Sequence, residues 1–445
     1  MITSSQMQGL PNSAELERDA RLANAGHGAV SPGEITIGVV IGRMSEFFDF
    51  FVYAIAAVLV FPRFLFPDTD ATTAMLYSFA LFALAFVARP LGSAIFMALD
   101  RRHGRGVKLT VALFLLGGST AAISMLPSPE SIGAASVVLL GLARFAQGLA
   151  LGGAWDGLAS LLALNAPQNR RGWYAMMPQL GAPLGFLLAA GLFTFLVASL
   201  PEADFQDWGW RYPFFVAFTV NVVALFARLR LVGSNEFANL LEREELQPVR
   251  ISEVVATNGR NLVIGAFVPL ACFALFHLVT VFPLAWVVLR ADTGVADFLL
   301  TQMTGAAIMI VTVVLSGWVA DRIGRRRLLG IGALLIGIFS FVGPFLLSGS
   351  NAGQSFVLIG FALLGFSFGQ ASGAVASNFS RRLRYTGAAM TSDIAWLIGA
   401  GFAPLVVLAL SQWFGLAAVG AYLLSGVICT LLALMTNRQL EMRDQ

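Results

Sequence analysis

Long apolar runs alternate with short polar connections along the whole chain. A helix that spans a membrane needs about 20 consecutive, mostly apolar residues. Twelve runs meet this requirement, at 36–61, 73–98, 108–127, 133–164, 173–199, 209–230, 261–289, 298–320, 328–348, 354–379, 386–411 and 414–436. The pattern therefore predicts an all-α membrane protein with twelve transmembrane helices.

The composition agrees with this pattern. Of the 445 residues, 57% are hydrophobic and 12% are charged, whereas a soluble domain carries about 25% charged residues. The mean hydropathy of +0.78 is higher than a water-soluble fold can hide. Cys272 and Cys429 lie far apart and the three histidines form no cluster, so the sequence indicates no disulfide framework, no metal site and no cofactor.

Basic residues predict the orientation in the membrane. The loops after spans 2, 4, 6, 8 and 10 are rich in arginine, while the opposite side holds Arg63, Arg211 and Arg290. Lys and Arg favour the cytoplasmic side, so we expect both termini inside, with a disordered tail at 1–33 and a short tail at 437–445. The net charge of +3 is attributed to loop arginines that face anionic lipid, and no nucleic-acid partner is expected.

The two halves of the chain repeat each other. "DRRHGR" begins at Asp100 and "DRIGRRR" at Asp321, and the motifs "GAP" and "FAP" end at Pro183 and Pro404, an offset of 221 residues in each case. Duplicated six-helix halves with a substrate site between them are a known transporter architecture. We expect two pseudo-symmetric bundles, at 34–230 and 261–436, joined by a cytoplasmic loop at 231–260.

Several motifs resemble those of the major facilitator superfamily. "GWVADRIGRR" at 317–326 is a full copy of its loop signature, G-x3-D-R-x-G-R-R, and "RFAQG" at 144–148 and "GAPLG" at 181–185 resemble its fourth- and fifth-span motifs. Four stretches are similar to the metabolite:proton symporter family within it: "EFFDFFVY", "ARPLGS", "WGWRYPF" and "LRYTGAA". The resemblance extends over residues 36–436.

The sequence departs from the family pattern at two places. In the first-half loop, Phe96 occupies the first Gly position and one extra residue lies between Arg101 and Gly104. In span 4, Ala154 of "GGAWDG" stands where the family typically carries Glu. An acid follows two residues later as Asp156, about 200° around the helix. Whether it replaces the family Glu is left open.

The resemblance implies a fold and an activity. Two six-helix bundles would rock around a midplane cavity, and the family carries keto acids, citrate, shikimate-like acids and zwitterionic osmolytes. It also implies that the two acidic loops latch the two states, with an Asp facing the N-terminal end of a neighbouring helix, where the dipole favours an acid. The plain alternative is that the loop arginines only set orientation. The gating candidates are Asp100, Arg101, Arg105, Asp321, Arg322 and Arg325.

Span 1 carries a polar stripe of Arg43, Glu46, Asp49 and Tyr53. At about 100° per residue these side chains share one helix face, and the two acids lie near the midplane. Two carboxylates one turn apart and away from water cannot both ionise cheaply, so one is expected to exchange a proton. We expect Arg43 to pair with Glu46, the stripe to face a polar cavity, and Asp49 to be the first proton-site candidate.

Other charged or polar residues also lie inside predicted spans. Charges there are costly in a membrane and need partners or a function. Arginine suits a carboxylate substrate, and the alternative role for Arg89 and Arg144 is a fixed ion pair with Asp156, Glu46 or Asp49. A lone buried histidine such as His277 is often a packing residue. The proton-coupling candidates are Asp49, Glu46, Asp156 and Asp393; the substrate-binding candidates are Arg144, Arg89, Tyr53, His277, Gln147 and Trp396.

The sequence thus predicts a monomeric transporter of the bacterial inner membrane that couples symport of a small metabolite, an organic anion, to protons. A proton-coupled or facilitated exporter of small molecules is the alternative, because a buried acid serves either direction. A substrate sensor is less favoured, because the soluble segments are only about thirty residues long. No nucleophile–base pair or phosphate loop indicates an enzyme.

Overall fold

A computed structural model describes residues 32–154, 166–232, 247–290, 294–348, 353–376 and 379–436. Within these ranges the chain is helical, without β-strands, and ten helices are long and apolar enough to cross a membrane. One of the ten, Ala71–Ser124, contains two predicted spans. Pro32–Leu59, whose charged residues lower its hydropathy, supplies one more. The described helices therefore account for all twelve predicted spans.

The first half begins with the charged span and a very long helix. Its helices are α1 (Pro32–Leu59), α2 (Phe61–Leu65), α3 (Ala71–Ser124), α4 (Pro129–Ile132), α5 (Ala135–Gly153), α6 (Arg171–Met176), α7 (Gly181–Ser199), α8 (Glu202–Asp207) and α9 (Tyr212–Val232). Spans 2 and 3 both lie in α3, and the backbone between them is non-helical at Gly104, where φ is 81°. Glycine adopts this left-handed backbone without a steric cost. Span 4 is predicted to reach residue 164, but residues 155–165 lie outside the described ranges.

The second half has the same order of spans with different interruptions. Its helices are α10 (Ile251–Phe267), α11 (Leu270–Thr280), α12 (Phe282–Arg290), α13 (Val295–Ile323), α14 (Arg325–Ser348), α15 (Gln354–Phe368), α16 (Ala371–Ala376), α17 (Arg381–Trp396), α18 (Ala403–Phe414) and α19 (Ala417–Thr436). Span 7 consists of α11 and α12, and span 11 consists of α17 and α18. The loop between α13 and α14 turns at Gly324, where φ is 84°, as at Gly104 in the first half.

The two prolines at matching positions of the repeat both follow an irregular turn. A 3₁₀ turn at Met177–Leu180 precedes Pro183 in α7. A π-helical turn at Leu397–Gly401 precedes Pro404 in α18. Proline and π-turns are the usual causes of helix kinks, and spans 5 and 11 depart from a regular α-helix just before these prolines.

The centre of the molecule lies where α1 meets α11. Every residue from Ser45 to Pro62 is buried, and so is every residue of α11. The ring of Phe276 in α11 stacks on that of Phe51 in α1 with the centroids 5.8 Å apart. A soluble helix buries one stripe, whereas a helix that is apolar all round is buried on all sides. The first and seventh spans therefore form the shared core of the two halves.

Two glycines bring α5 against α3. A Cβ atom on Gly148 would lie 2.3 Å from the carbonyl oxygen of Ala85, and one on Gly152 would lie 2.3 Å from that of Arg89. Such small-residue pairs let helix backbones approach closely in a membrane. This packing fixes the part of α3 that carries Arg89.

Candidate substrate and proton site

A cavity with charged and aromatic walls lies beside α1, α3, α5 and α17. The space between its lining residues is ≈ 490 Å³ when the adjoining open solvent is counted. Its charged lining residues are Arg43, Glu46 and Arg89, and its aromatic ones are Phe47, Phe50, Phe86 and Trp396. Because Trp396 belongs to the second half and the other six belong to the first, the cavity touches both halves.

Glu46 is held by two arginines. Arg43 Nη1 lies 2.5 Å from one carboxylate oxygen and Arg228 Nη2 lies 2.5 Å from the other. Arg228, at the end of span 6, also donates to the carbonyl of Ala154 at 3.1 Å. The predicted pairing of Arg43 with Glu46 is confirmed. The sequence did not indicate Arg228, because its position near a span end reads as a loop charge.

Asp49 lies deeper, among neutral donors of the first half. Thr120 Oγ1 donates to one of its oxygens at 2.6 Å, and Asn221 Nδ2 lies 3.3 Å from the same atom. The amide of Gln147 lies 3.5 Å from the other oxygen and donates to Thr120 at 2.8 Å. Asp49 is 1% exposed, and the hydrogen-bond donors it meets in the described part of the chain are uncharged.

Arg144 lies next to this network without joining Asp49 in an ion pair. Its guanidinium lies over the ring of Tyr53, 3.9 Å from the ring centroid, and its Nη1 donates to Gln147 at 3.1 Å. Its Nε donates to the carbonyl of Phe82 at 3.3 Å, while its Nη2 has no hydrogen-bond partner among the described residues. Gln147 therefore bridges a buried cation and a buried acid.

The polar stripe of span 1 divides between two environments. Arg43 and Glu46 line the cavity, whereas Asp49 and Tyr53 are enclosed within the first half. The expectation that the whole stripe faces one polar cavity is therefore wrong for its second part. Each step of three residues turns the side chain back by about 60°, so Asp49 points about 120° away from Arg43.

Arg89 is paired across the two halves. Its Nε lies 2.7 Å from Oδ1 of Asp393 in α17, and Ser93 donates to Oδ2 of the same acid. The sequence analysis considered Asp156, Glu46 and Asp49 as ion-pair partners for Arg89. Asp156 lies outside the described residues, and the observed partner comes from the other end of the chain.

His277 lies in a cage of aromatic rings. The centroids of the five rings around it are 5.2–6.5 Å away, and they belong to Phe50, Phe82, Phe86, Phe276 and Trp396. Its Nδ1 lies 3.4 Å from Thr280 Oγ1, and its Nε2 has no partner among the described residues. A substrate contact by His277 stays a prediction, as do those by Tyr53, Gln147 and Arg144, which do not line the cavity in this conformation.

The second-half loop forms a latch to the first half. The Asp321 carboxylate accepts from the backbone N–H of Gly172 at 2.6 Å and of Trp173 at 3.1 Å. These N–H groups open α6, so the acid faces a helix N-terminus as the resemblance implies. Gln370 also donates to the carbonyl of Gly172 at 3.0 Å and accepts from Arg325 at 3.4 Å. We call Asp321, Gly172 and Trp173 the second latch.

The first-half loop forms a latch of side chains. Lys108 donates to the hydroxyl of Tyr385 in α17 at 2.6 Å, and that hydroxyl lies 3.3 Å from Asp100. Arg105 lies 3.2 Å from Asp100 and 4.2 Å from the Tyr385 ring centroid. We call these four residues the first latch. Arg101 donates to the carbonyl of Val249 beside it at 3.1 Å.

Comparisons with known proteins agree with this architecture. The model of the Major Facilitator Superfamily matches residues 39–393. The inner membrane metabolite transport protein YhjE of Escherichia coli (strain K12) is 37% identical over 419 residues, covering 92% of this chain and 94% of the relative. The shikimate transporter of the same strain is 30% identical over 405 residues, covering 88% and 91%.

Solved structures share the fold. The crystal structure of a D-xylose-proton symporter superposes with a TM-score of 0.70 at 19% identity, covering 91% of this chain and 97% of that one. The inward-open xylose transporter XylE from E. coli gives 0.68 at 19% identity, covering 92% and 98%. These relatives and neighbours are transporters rather than enzymes. Because the family model covers most of the chain and the relatives align with nearly all of it, the chain belongs to the Major Facilitator Superfamily and is a multi-pass membrane transporter of small molecules.

Proposed function

We propose that this protein is a proton-coupled symporter of a small organic anion in the inner membrane of a bacterium, with both termini in the cytoplasm. One relative at 30% identity is named a shikimate transporter, and shikimate is a monocarboxylate. Another, 37% identical, is named an inner membrane metabolite transport protein. A monomer with one substrate pathway is the assembly we expect.

The observation that carries the proton coupling is the environment of Asp49. Its carboxylate is fully buried and meets neutral donors, with a cation close by that does not pair with it. Such a group gains less from staying ionised than one inside an ion pair. Glu46, in contrast, is held between two guanidinium groups. We therefore assign the exchanged proton to Asp49 rather than to Glu46.

The arginines in the cavity wall support an organic anion as the substrate. Arg89 and Arg43 both line it, and the planar guanidinium binds a carboxylate through two parallel hydrogen bonds. The aromatic walls offer apolar surface to the rest of a small substrate. Arg144, the other predicted anion partner, is 0% exposed and does not line the cavity, so Arg89 is the better candidate.

Alternating access is supported by contacts between the halves on both sides of the cavity. The two latches join the halves near the arginine-rich loops. Toward the other end, Met303 of α13 lies 4.0 Å from the hydroxyl of Thr194 in α7. Alternating access requires that one set of these contacts breaks while the other holds, so that a solute can move without a pore opening through the protein.

Uptake by proteoliposomes tests the proposal. We expect radiolabelled shikimate, citrate or 2-oxoglutarate to accumulate when the outside is made acidic, and Asp49→Asn to lower this accumulation to the level seen without a pH gradient. Asp68→Asn, in an exposed loop, is the matched control and should behave as wild type.

Gradient-driven accumulation that persists in Asp49→Asn would refute the assignment of the proton to this acid. Accumulation driven only by an acidic interior would instead identify the exporter. Transport that never responds to pH in the wild-type protein would exclude coupling altogether.

A further inference from the structure

Asp393 belongs to the second half, yet the first half binds it. Arg89 donates to Oδ1 at 2.7 Å and Ser93 donates to Oδ2, and both donors lie in α3. The Asp393 side chain is only 4% exposed. When the two halves part along this seam, the carboxylate loses both partners at once. A buried charge without partners is costly, so this bridge can open only if something compensates each of its two charges.

The Arg89 side chain has donors to spare. Among the described residues, Arg89 donates to Asp393, and it does so from Nε. A guanidinium has five N–H donors in one plane, and Arg89 lines the cavity with its Cζ atom 6.0 Å from the Trp396 ring centroid. A carboxylate that enters the cavity therefore meets the same cation that Asp393 holds.

We propose that Asp393 is a stand-in for the substrate carboxylate: it occupies Arg89 in the empty carrier, and an incoming carboxylate displaces it. This inference rests on the proposed organic-anion symport. In the empty closed state, Arg89 and Asp393 neutralise each other across the seam. In the loaded state, the substrate carboxylate neutralises Arg89, and water in the cavity hydrates the released Asp393 carboxylate.

The position of the bridge distinguishes it from the other ion pairs. Arg43 and Glu46 lie on one helix, so their pair survives any motion of the halves. Arg63 and Glu202 form an exposed pair within the first half. The Arg89–Asp393 pair joins α3 to α17 at the cavity wall, where the halves must separate for a substrate to enter or leave.

Binding of shikimate, citrate or 2-oxoglutarate, measured by calorimetry on the purified full-length protein, tests the displacement. Removing the competitor must tighten binding, because the wild-type affinity is reduced by the fraction of Arg89 that Asp393 occupies. We expect Asp393→Asn to lower the Kd by about tenfold and Ser93→Ala to lower it by about threefold. Arg89→Gln should abolish binding. Ser411→Ala replaces another buried serine, whose hydroxyl donates to the carbonyl of Leu408 in its own helix, and should leave the Kd unchanged.

The design separates this inference from the proposed function. A purely structural ion pair predicts that Asp393→Asn and Ser93→Ala weaken binding or leave it unchanged, and that result would overturn the stand-in role. If Asp393→Asn does not fold, Ser93→Ala decides alone, since it keeps both charges. Tighter binding in these variants would support the stand-in role of Asp393. Full proton coupling in Asp49→Asn would refute the assignment of the proton to Asp49 without affecting that role.

Discussion

The two halves carry the same acidic loop signature and use it differently. In the second latch, Asp321 accepts two backbone N–H bonds at the start of α6. In the first latch, Asp100 takes part in a side-chain cluster with Arg105, Lys108 and Tyr385. The loop backbones match, since Gly104 and Gly324 both turn with positive φ, at 81° and 84°. The difference therefore lies in the partners that each acid finds.

The sequence contains the cause of this difference. The second loop has the full signature, whereas the first has one extra residue between Arg101 and Gly104 and carries Lys108, the only lysine of the chain. Lys108 is 1% exposed and donates to Tyr385 from the opposite half. A helix-terminus latch depends on one carboxylate, while the side-chain latch divides its energy among several contacts.

Among substitutions in the two loops, Asp321→Ala should cause the largest shift from the closed to the open state. It removes both acceptors of the second latch, and each hydrogen bond to a charged group contributes about 1.5–3 kcal/mol. We expect the ratio of closed to open molecules to fall by a factor of about 100 or more. Double electron–electron resonance spectroscopy between spin labels at Arg170 and Arg327, both exposed, should then show a second, longer distance.

Asp321→Asn keeps one acceptor oxygen and should give an intermediate shift. The same single distance in Asp321→Ala as in the wild-type protein would mean that the second latch does not hold the halves together. Cys429 is replaced by Ser in all labelled variants, and Cys272 is buried.

Tyr385→Phe should have a smaller effect on the first latch. The substitution removes the hydroxyl that accepts from Lys108 at 2.6 Å but keeps the ring beneath Arg105. Lys108 still has Asp100 at 3.8 Å. We expect a shift of about tenfold in the closed population, read from labels at Arg102 and Arg382. A shift as large as that of Asp321→Ala would show that the side-chain latch also depends on one contact.

Arg322→Ala should have the smallest effect. Arg322 belongs to the loop signature, yet its guanidinium lies 3.5 Å over the ring of Trp318 in its own helix. An exposed cation–π contact contributes about 0.5–1 kcal/mol, so we expect less than a threefold change in uptake rate. A loss comparable to that of Asp321→Ala would show that Arg322 has a gating role that its position does not suggest.

Residue-level outcomes show how far the sequence reaches. The spacing of Arg43 and Glu46 predicted an ion pair because both lie on one helix. The loop signature predicted that Asp321 faces a helix start because that motif is intact. The sequence did not identify Arg228 or Tyr385 as contact residues. Arg228 lies near the end of a span, where a charge is typical of a loop. Tyr385 lies in the motif "LRYTGAA", which does not indicate the partner of any of its side chains. Thr120 and Asn221 are neutral residues in apolar helices, so nothing marked them as partners of Asp49.

The amino-acid sequence by itself determined the twelve spans, the repeat and which charged residues lie inside the spans. These features can be read from hydropathy and periodicity, which are properties of local segments of the chain. Only the tertiary structure decided which charges meet. Arg89 and Asp393 are 304 residues apart, and their contact depends on how α3 and α17 approach across the seam between the halves. The rotation of α1 likewise decided that Glu46 faces the cavity while Asp49 faces its own half. These choices follow from helix packing, which a local pattern does not encode.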